Sequence, residues 1–229
     1  MTFLLQLENL TTQFGNHVVH NNLNIGFKQG EVTAIIGPSG SGKSTLIEFI
    51  TAETHTSKGK MYWKGKPWYR ENIANLIGYA PQRGGFIDDF TIIENIALPL
   101  IYVCGFSESL AKDVAWAVIQ NVGLGENVYY QYPYTLSGGM LRRASIARAM
   151  VLEQKLLILD EPLSGLDLQS LKEIMDLIIS LTPVFTIICI THHFIPAHKY
   201  VMIHNGNVIE GTYSTMIKHP IVKEFLREI

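Results

Sequence analysis

Three stretches of the sequence hold residue types at spacings that suit chemistry on a phosphate. The first is Gly37-Pro38-Ser39-Gly40-Ser41-Gly42-Lys43-Ser44-Thr45. It fits the phosphate-loop pattern, a glycine-bracketed turn ending in lysine and a hydroxyl residue. The glycines let backbone N–H groups turn inward on phosphate oxygens, and a helix starting there adds the positive end of its dipole. Lys43 supplies a point charge for the β- and γ-phosphates of a nucleoside triphosphate, and Ser44 a hydroxyl for Mg²⁺. The second stretch is Leu156-Leu157-Ile158-Leu159-Asp160-Glu161. Its four apolar residues predict a buried strand with both acids at the carboxyl end, where open α/β sheets bind ligands. Asp160 suits the Mg²⁺ shell, and Glu161 suits a base that polarises water or takes its proton. The third is Leu136-Ser137-Gly138-Gly139-Met140, which opens a predicted helix with Ser137 as its N-cap. A chance glycine turn, a solvated acid pair and an ordinary helix cap are the plain alternatives. Finding all three in one chain weakens each alternative. Two anion sites in a chain that needs one γ-phosphate site suggest a second subunit.

The elements that must position these residues follow from periodicity. Short strands are predicted over 3–7, 17–20 and 23–27, with Gly15, Asn16, Asn21 and Asn22 as turns. A continuous apolar strand, Glu31–Ile36, feeds the phosphate loop, and a helix is expected over Thr45–Ala52. Strands follow at Gly59–Trp63 and Ile77–Tyr79. From Gly84 to Tyr134 the texture is helical. Ser109 is the expected cap of a helix burying Leu110, Val114, Ala117 and Asn121, widened by Ala111, Ala115 and Val118. Alternation then resumes with helix Gly138–Leu152, strand Leu156–Leu159, helix Leu168–Leu181 and strands Phe185–Ile190, Tyr200–Ile203 and Asn207–Glu210. Such alternation argues for a parallel-rich α/β core carrying a helical insertion.

Composition narrows the class. Of 229 residues, 47% are hydrophobic and only 17% charged, with a net charge of −2, against about 25% charged in a typical soluble domain. That balance excludes disorder and offers no basic footprint for nucleic acid. The most apolar run, Leu177–Thr191, is interrupted by Pro183 and too short to cross a bilayer. The first ten residues lack the features of a signal peptide. A cytoplasmic protein is therefore expected, and part of Ala97–Phe106 is expected to be exposed in the lone chain for a partner to cover. Cys104 and Cys189 lack metal spacing and are expected as buried free thiols.

Taken in order, the motifs resemble those of the nucleotide-binding subunits of ABC transporters over nearly the whole chain. The resemblance implies a P-loop NTPase (RecA-like) α/β core with an antiparallel β subdomain and an inserted α-helical subdomain. It implies one domain over 1–229, with 1–83 holding the β subdomain and first part of the core. The helical subdomain would be 84–135, and 136–229 the signature and remaining core. It implies that Ser137, Gly138 and Gly139 reach the γ-phosphate of ATP held by a second copy. Gln82, in Tyr79-Ala80-Pro81-Gln82, would be a Mg²⁺ ligand beside Ser44 and Asp160. In Ser164-Gly165-Leu166-Asp167, Asp167 would anchor the dimer interface. His192 would bond the γ-phosphate, and Phe14 would stack on adenine. Lys43, Glu161 and His192 would be the catalytic set.

Met140, Phe14 and His193 stand where the family more commonly has Gln, Tyr and an acid, and none removes a catalytic group. The signature Leu-Ser-Gly-Gly-Met, with Arg142-Arg143-Ala144 and Ile146-Ala147-Arg148-Ala149, is similar to the ATPases of MCE-associated, Mla-type phospholipid transporters. So, less specifically, are Gly84–Leu100 and the ending His219–Leu226. The implied cofactors are ATP and Mg²⁺. The implied partners are a second copy, a membrane permease and an MCE-domain protein, with no nucleic acid. The alternatives are an ABC ATPase serving another cargo and a non-transport regulatory ABC ATPase.

Overall fold

The computed structural model describes residues 3–51, 57–68 and 76–228. In chain order the elements are β1 (Phe3–Phe14), β2 (His17–Lys28), β3 (Val32–Ile36), α1 (Lys43–Ile50), β4 (Ser57–Trp63), β5 (Lys66–Pro67) and β6 (Ile77–Ala80). They continue with α2 (Ile92–Cys104), α3 (Glu108–Asn121), α4 (Gly138–Met150), β7 (Leu156–Asp160), α5 (Leu168–Ser180), β8 (Thr186–Ile190), β9 (Lys199–His204), β10 (Asn207–Gly211), α6 (Tyr213–Met216) and α7 (Pro220–Glu228). The chain divides into two compact units, Met1–Ala74 with Leu181–Ile229, and Asn75–Ser180. Among the described residues, no helix is long and apolar enough to cross a membrane.

The first unit holds an antiparallel sheet in the order β2–β1–β4–β5. It also holds a set of strands in which β3 runs parallel to both β8 and β9, and β10 closes back antiparallel on β9. Every residue of β3 and β8 is buried, as continuous apolar runs in parallel sheets require. The two short strands expected over 17–27 are one long strand, β2. Asn21 and Asn22 do not turn the chain. Asn22 takes a left-handed φ of 55° and the β1–β2 register slips between Leu10 and Thr12. Asparagine tolerates that conformation, so the irregularity becomes a bulge inside a hairpin. The helix expected over Thr45–Ala52 begins at Lys43, and Ala52 lies outside the described residues.

In the second unit β6 and β7 pair in parallel, and α4 packs directly on β6. A Cβ on Gly78 would lie 1.9 Å from the Ala149 carbonyl oxygen, so only glycine permits this approach. Helix α2 opens with a capping box. The Glu94 carboxylate accepts from the Thr91 N–H at 3.0 Å and from its hydroxyl at 2.6 Å. These bonds, the hydroxyl first, hold the Glu94 carboxyl below its ordinary range. Asn95, fully buried, ties down the preceding loop. Its amide nitrogen lies 2.9–3.1 Å from the carbonyls of Phe90, Ile87 and Thr91, and its oxygen accepts the Ile87 N–H at 2.8 Å.

Helix α3 corrects two expectations. Its cap is Ser107, whose Oγ accepts the Leu110 N–H at 3.4 Å, not Ser109. Its buried face is Ala111, Ala115 and Ile119, while Leu110 and Ala117 are exposed. Alanines bring the helix close to its neighbours, so the inward stripe is the small one and the bulkier leucine stays outside. Cys189 is buried as expected, but Cys104 is exposed at the end of α2. The same end exposes Tyr102 and Val103, so part of Ala97–Phe106 is uncovered, as expected from the charge deficit.

Candidate functional site

In the first unit the apolar strand β3 ends at Ile36 and the chain turns through the glycine loop into α1. Gly42 is the N-cap of α1 with φ 100°, a conformation that favours glycine. A Cβ there would meet Val19 Cγ1 at 2.6 Å and His20 Nε2 at 2.7 Å. The buried Lys43 ammonium donates to the carbonyls of Gly37 at 2.7 Å and Pro38 at 2.9 Å. It is thereby held inside the loop that it would offer to phosphate. Ser41 Oγ is buried with no hydrogen-bond partner among the described residues. A Cβ at Gly40 would meet nothing within 4 Å. An orphaned hydroxyl, an open glycine face and a caged ammonium at a helix N-terminus fit a phosphate group.

A cleft of about 180 Å³ lies along this loop, lined by Pro38, Ser39, Gly40 and Ser41 with His17, Val18 and Val19 of β2. Phe14 ends β1 opposite His17, with 46% of its surface exposed. Beyond β8, the half-buried His192 has its pKa lowered, first by burial, then by the Lys43 ammonium and His193, against a backbone hydrogen bond at Gly37. The first unit thus gathers residues 37–45 and His192, with Phe14 at the hairpin beside the cleft.

The second unit carries the remaining candidates. Asp160 ends β7, and the Tyr79 hydroxyl donates to its Oδ2 at 3.3 Å. Glu161 is 6% exposed and takes a φ of 48°, turning the chain so that the Ser164 N–H reaches the Glu161 carbonyl at 3.2 Å. Ser137 caps α4 as expected, its Oγ accepting the Met140 N–H at 3.3 Å. Gly139 is packed so closely that a Cβ would lie 2.8 Å from Ser170 Oγ, whereas Ser137 and Gly138 are exposed. Asp167 caps the start of α5, accepting the Ser170 N–H at 2.9 Å and its hydroxyl at 2.7 Å. Those two bonds lower its pKa. A pocket of about 130 Å³ brings Gln82, Gly138, Arg142 and Ser164–Leu166 together. Among the described residues, no cluster of three His, Cys, Asp or Glu could hold a metal. Of the expected Mg²⁺ donors, Ser44 lies in the first unit and Gln82 and Asp160 in this one; hydroxyl, amide and carboxylate oxygens are the hard donors that Mg²⁺ takes.

Sequence reasoning missed His20. It is fully buried on β2, with Nε2 3.0 Å from the Gly42 carbonyl and Nδ1 3.0 Å from Thr12 Oγ1. A carbonyl only accepts, so Nε2 carries the proton and Nδ1 accepts from Thr12. The bulge at Asn22 breaks the alternation that would have marked His20 as inward-facing.

Residues 20–164 match the family model described as ABC transporter. The chain belongs to that family and is an ATP-binding, ATP-hydrolysing cassette. It is similar to the intermembrane phospholipid transport system ATP-binding protein MlaF of Haemophilus influenzae. The two are 31% identical over 94% of this chain and 86% of that protein. It is equally similar to the glutamine transport ATP-binding protein GlnQ of Escherichia coli, at 31% identity over 99% of this chain and all of that protein. Among solved structures, the dimeric ABC transporter cassette MJ0796 matches with a TM-score of 0.79 at 27% identity, over 91% of this chain and 98% of that one.

Proposed function

We propose that this chain is the ATPase subunit of a transporter that moves phospholipid, working as a pair of copies on the cytoplasmic face of a membrane permease. The observation that carries the lipid reading is the signature, Leu-Ser-Gly-Gly-Met followed by Arg142 and Arg143, supported by the similarity to MlaF. The equal identity to GlnQ favours an amino-acid importer as the second reading.

Lys43 and the inward N–H groups of 37–45 hold the β- and γ-phosphates, and Phe14 lies under the adenine ring. Ser44, Gln82 and Asp160 hold Mg²⁺, which when bound neutralises charge on the phosphate oxygens. Glu161 accepts the proton of a water whose oxygen bonds to the γ-phosphorus as the bond to the bridging oxygen breaks. Neutral His192 bonds the γ-phosphate. The exposed Ser137 and Gly138 face the nucleotide of the second copy, with Asp167 at the interface.

The subdomain 84–135 grips the permease. Its groove of about 480 Å³ has a floor of Phe90, Ala97, Leu98 and Ile101. Residues 94, 97, 98 and 101 share one face of α2, the spacing that receives a partner helix.

The test is to tag the chain in its native cell, extract membranes in mild detergent and identify what co-purifies. A permease with an MCE-domain protein supports the lipid reading. A permease with a solute-binding protein overturns it in favour of the importer, and ribosomes or DNA overturn both.

A further inference from the structure

Helix α4 does more than present the signature at its start. Arg142 Nη1 donates to the Gln82 carbonyl at 2.6 Å. Farther along, Arg148 donates to the carbonyls of Gly84 and Gly85 and lies 4.6 Å over the Phe86 ring. The segment following β6 is irregular, and its carbonyls at 82, 84 and 85 are all satisfied by guanidinium groups from this one helix. Charge-assisted bonds of this kind are the strong ones, and arginine makes them with fixed geometry.

Of the two arginines, Arg142 has the more telling surroundings. It lines the same small pocket as Gln82, Gly138 and the segment Ser164–Leu166. Burial lowers the Arg142 pKa, and the negative charges of Asp160 and Glu161 at the end of β7 act against that. One cation therefore bonds the backbone of Gln82 and feels the charge of both strand-end acids.

We propose that Arg142 is a positioning residue for ATP hydrolysis, fixing the Gln82 backbone so that the Gln82 side chain is held at a set place relative to Asp160 and Glu161. This rests on the roles proposed above for Gln82 and the acid pair. The bond that Arg142 makes is to the Gln82 segment, so its role is in turnover and not in nucleotide capture. A lysine at 142 keeps a charged donor that reaches the carbonyl, although without the rigid fork. A methionine keeps the length and apolar stem and removes both the charge and the bond.

The experiment compares the parent with Arg142→Met and Arg142→Lys in full-length chain. Single-turnover ATP hydrolysis is measured alongside ATP affinity with and without Mg²⁺, and amide exchange is followed through 82–90. For Arg142→Met the hydrolysis rate should fall by about 10–100-fold, the range seen when a supporting group behind a ligand is lost. Metal-free ATP affinity should stay within about twofold, the affinity gained with Mg²⁺ should shrink, and amides 82–86 should exchange faster. Arg142→Lys should recover most of each change. The proposal is overturned if Arg142→Met leaves the rate and exchange as in the parent. It is equally overturned if metal-free affinity falls with the rate, or if lysine is as damaging as methionine. Gln82→Ala tests the underlying reading separately. If it hydrolyses ATP like the parent, the role of Gln82 fails, whereas the exchange result still reports whether Arg142 holds the segment.

Discussion

At the scale of single residues, each candidate group is set by what surrounds it. Glu161 is buried at the end of an apolar strand with its backbone in the left-handed region, so its carboxylate has little freedom to wander. Glu161→Gln keeps the shape and removes the base. Steady-state ATP turnover should fall at least about 100-fold, since positioned general bases contribute roughly 10²–10⁴. Turnover equal to the parent would end the role given to Glu161. His20 offers a pH test. Burial lowers its pKa in the folded chain, against a hydrogen bond to Gly42, while the unfolded chain returns it to about 6.5. Between those values the unfolded state binds more protons. Stability is therefore full above about pH 6.5 and declines as pH falls through that value towards the lowered one. The Tm of the parent should drop more steeply between pH 7 and 5 than that of His20→Gln, and parallel curves would count against the assignment.

At the scale of elements, close approach decides what periodicity leaves open. The sequence of α3 points to one face on Leu110, Val114, Ala117 and Asn121, widened by Ala111, Ala115 and Val118. The structure keeps Ala111 and Ala115 buried with Ile119, while Leu110, Ala117 and Asn121 are exposed, because alanines permit a short distance between helices. The same logic fixes α4 on β6 through Gly78. Gly78→Ala should cost about 1–3 kcal/mol or more, as overpacking does. Urea unfolding measures this, and a cost near zero would mean that the helix retreats freely. Most strands and helices were legible within a few residues because their apolar runs are long and bounded by glycine or proline. The fusion of 17–27 into one strand was not, because a left-handed asparagine reads in sequence as a turn.

At the scale of the whole molecule, the deficit of charge has a location. Much of the apolar content fills β3, β7 and β8, and a remainder surfaces at Tyr102, Val103 and Cys104. The protein has two cysteines, one exposed and one buried, so thiol labelling reads this surface directly. A maleimide should modify one thiol per native chain, at Cys104, and two after unfolding. In the proposed complex with the permease, labelling of Cys104 should slow. Two fast thiols in the native chain would contradict the burial of Cys189.

The sequence by itself determined the family, the phosphate loop, the acid pair and the helix-capping signature. Each is a local pattern whose chemistry depends on residues adjacent in the chain. Only the tertiary structure decided that His20 stands behind Gly42, that Asn95 ties down the loop before α2, and that Arg142 bonds the Gln82 carbonyl. These contacts span from 4 to 60 residues or depend on a bulge and a close approach, and no spacing rule encodes them. They arise because buried carbonyls and amides must find partners wherever packing happens to bring a donor or an acceptor.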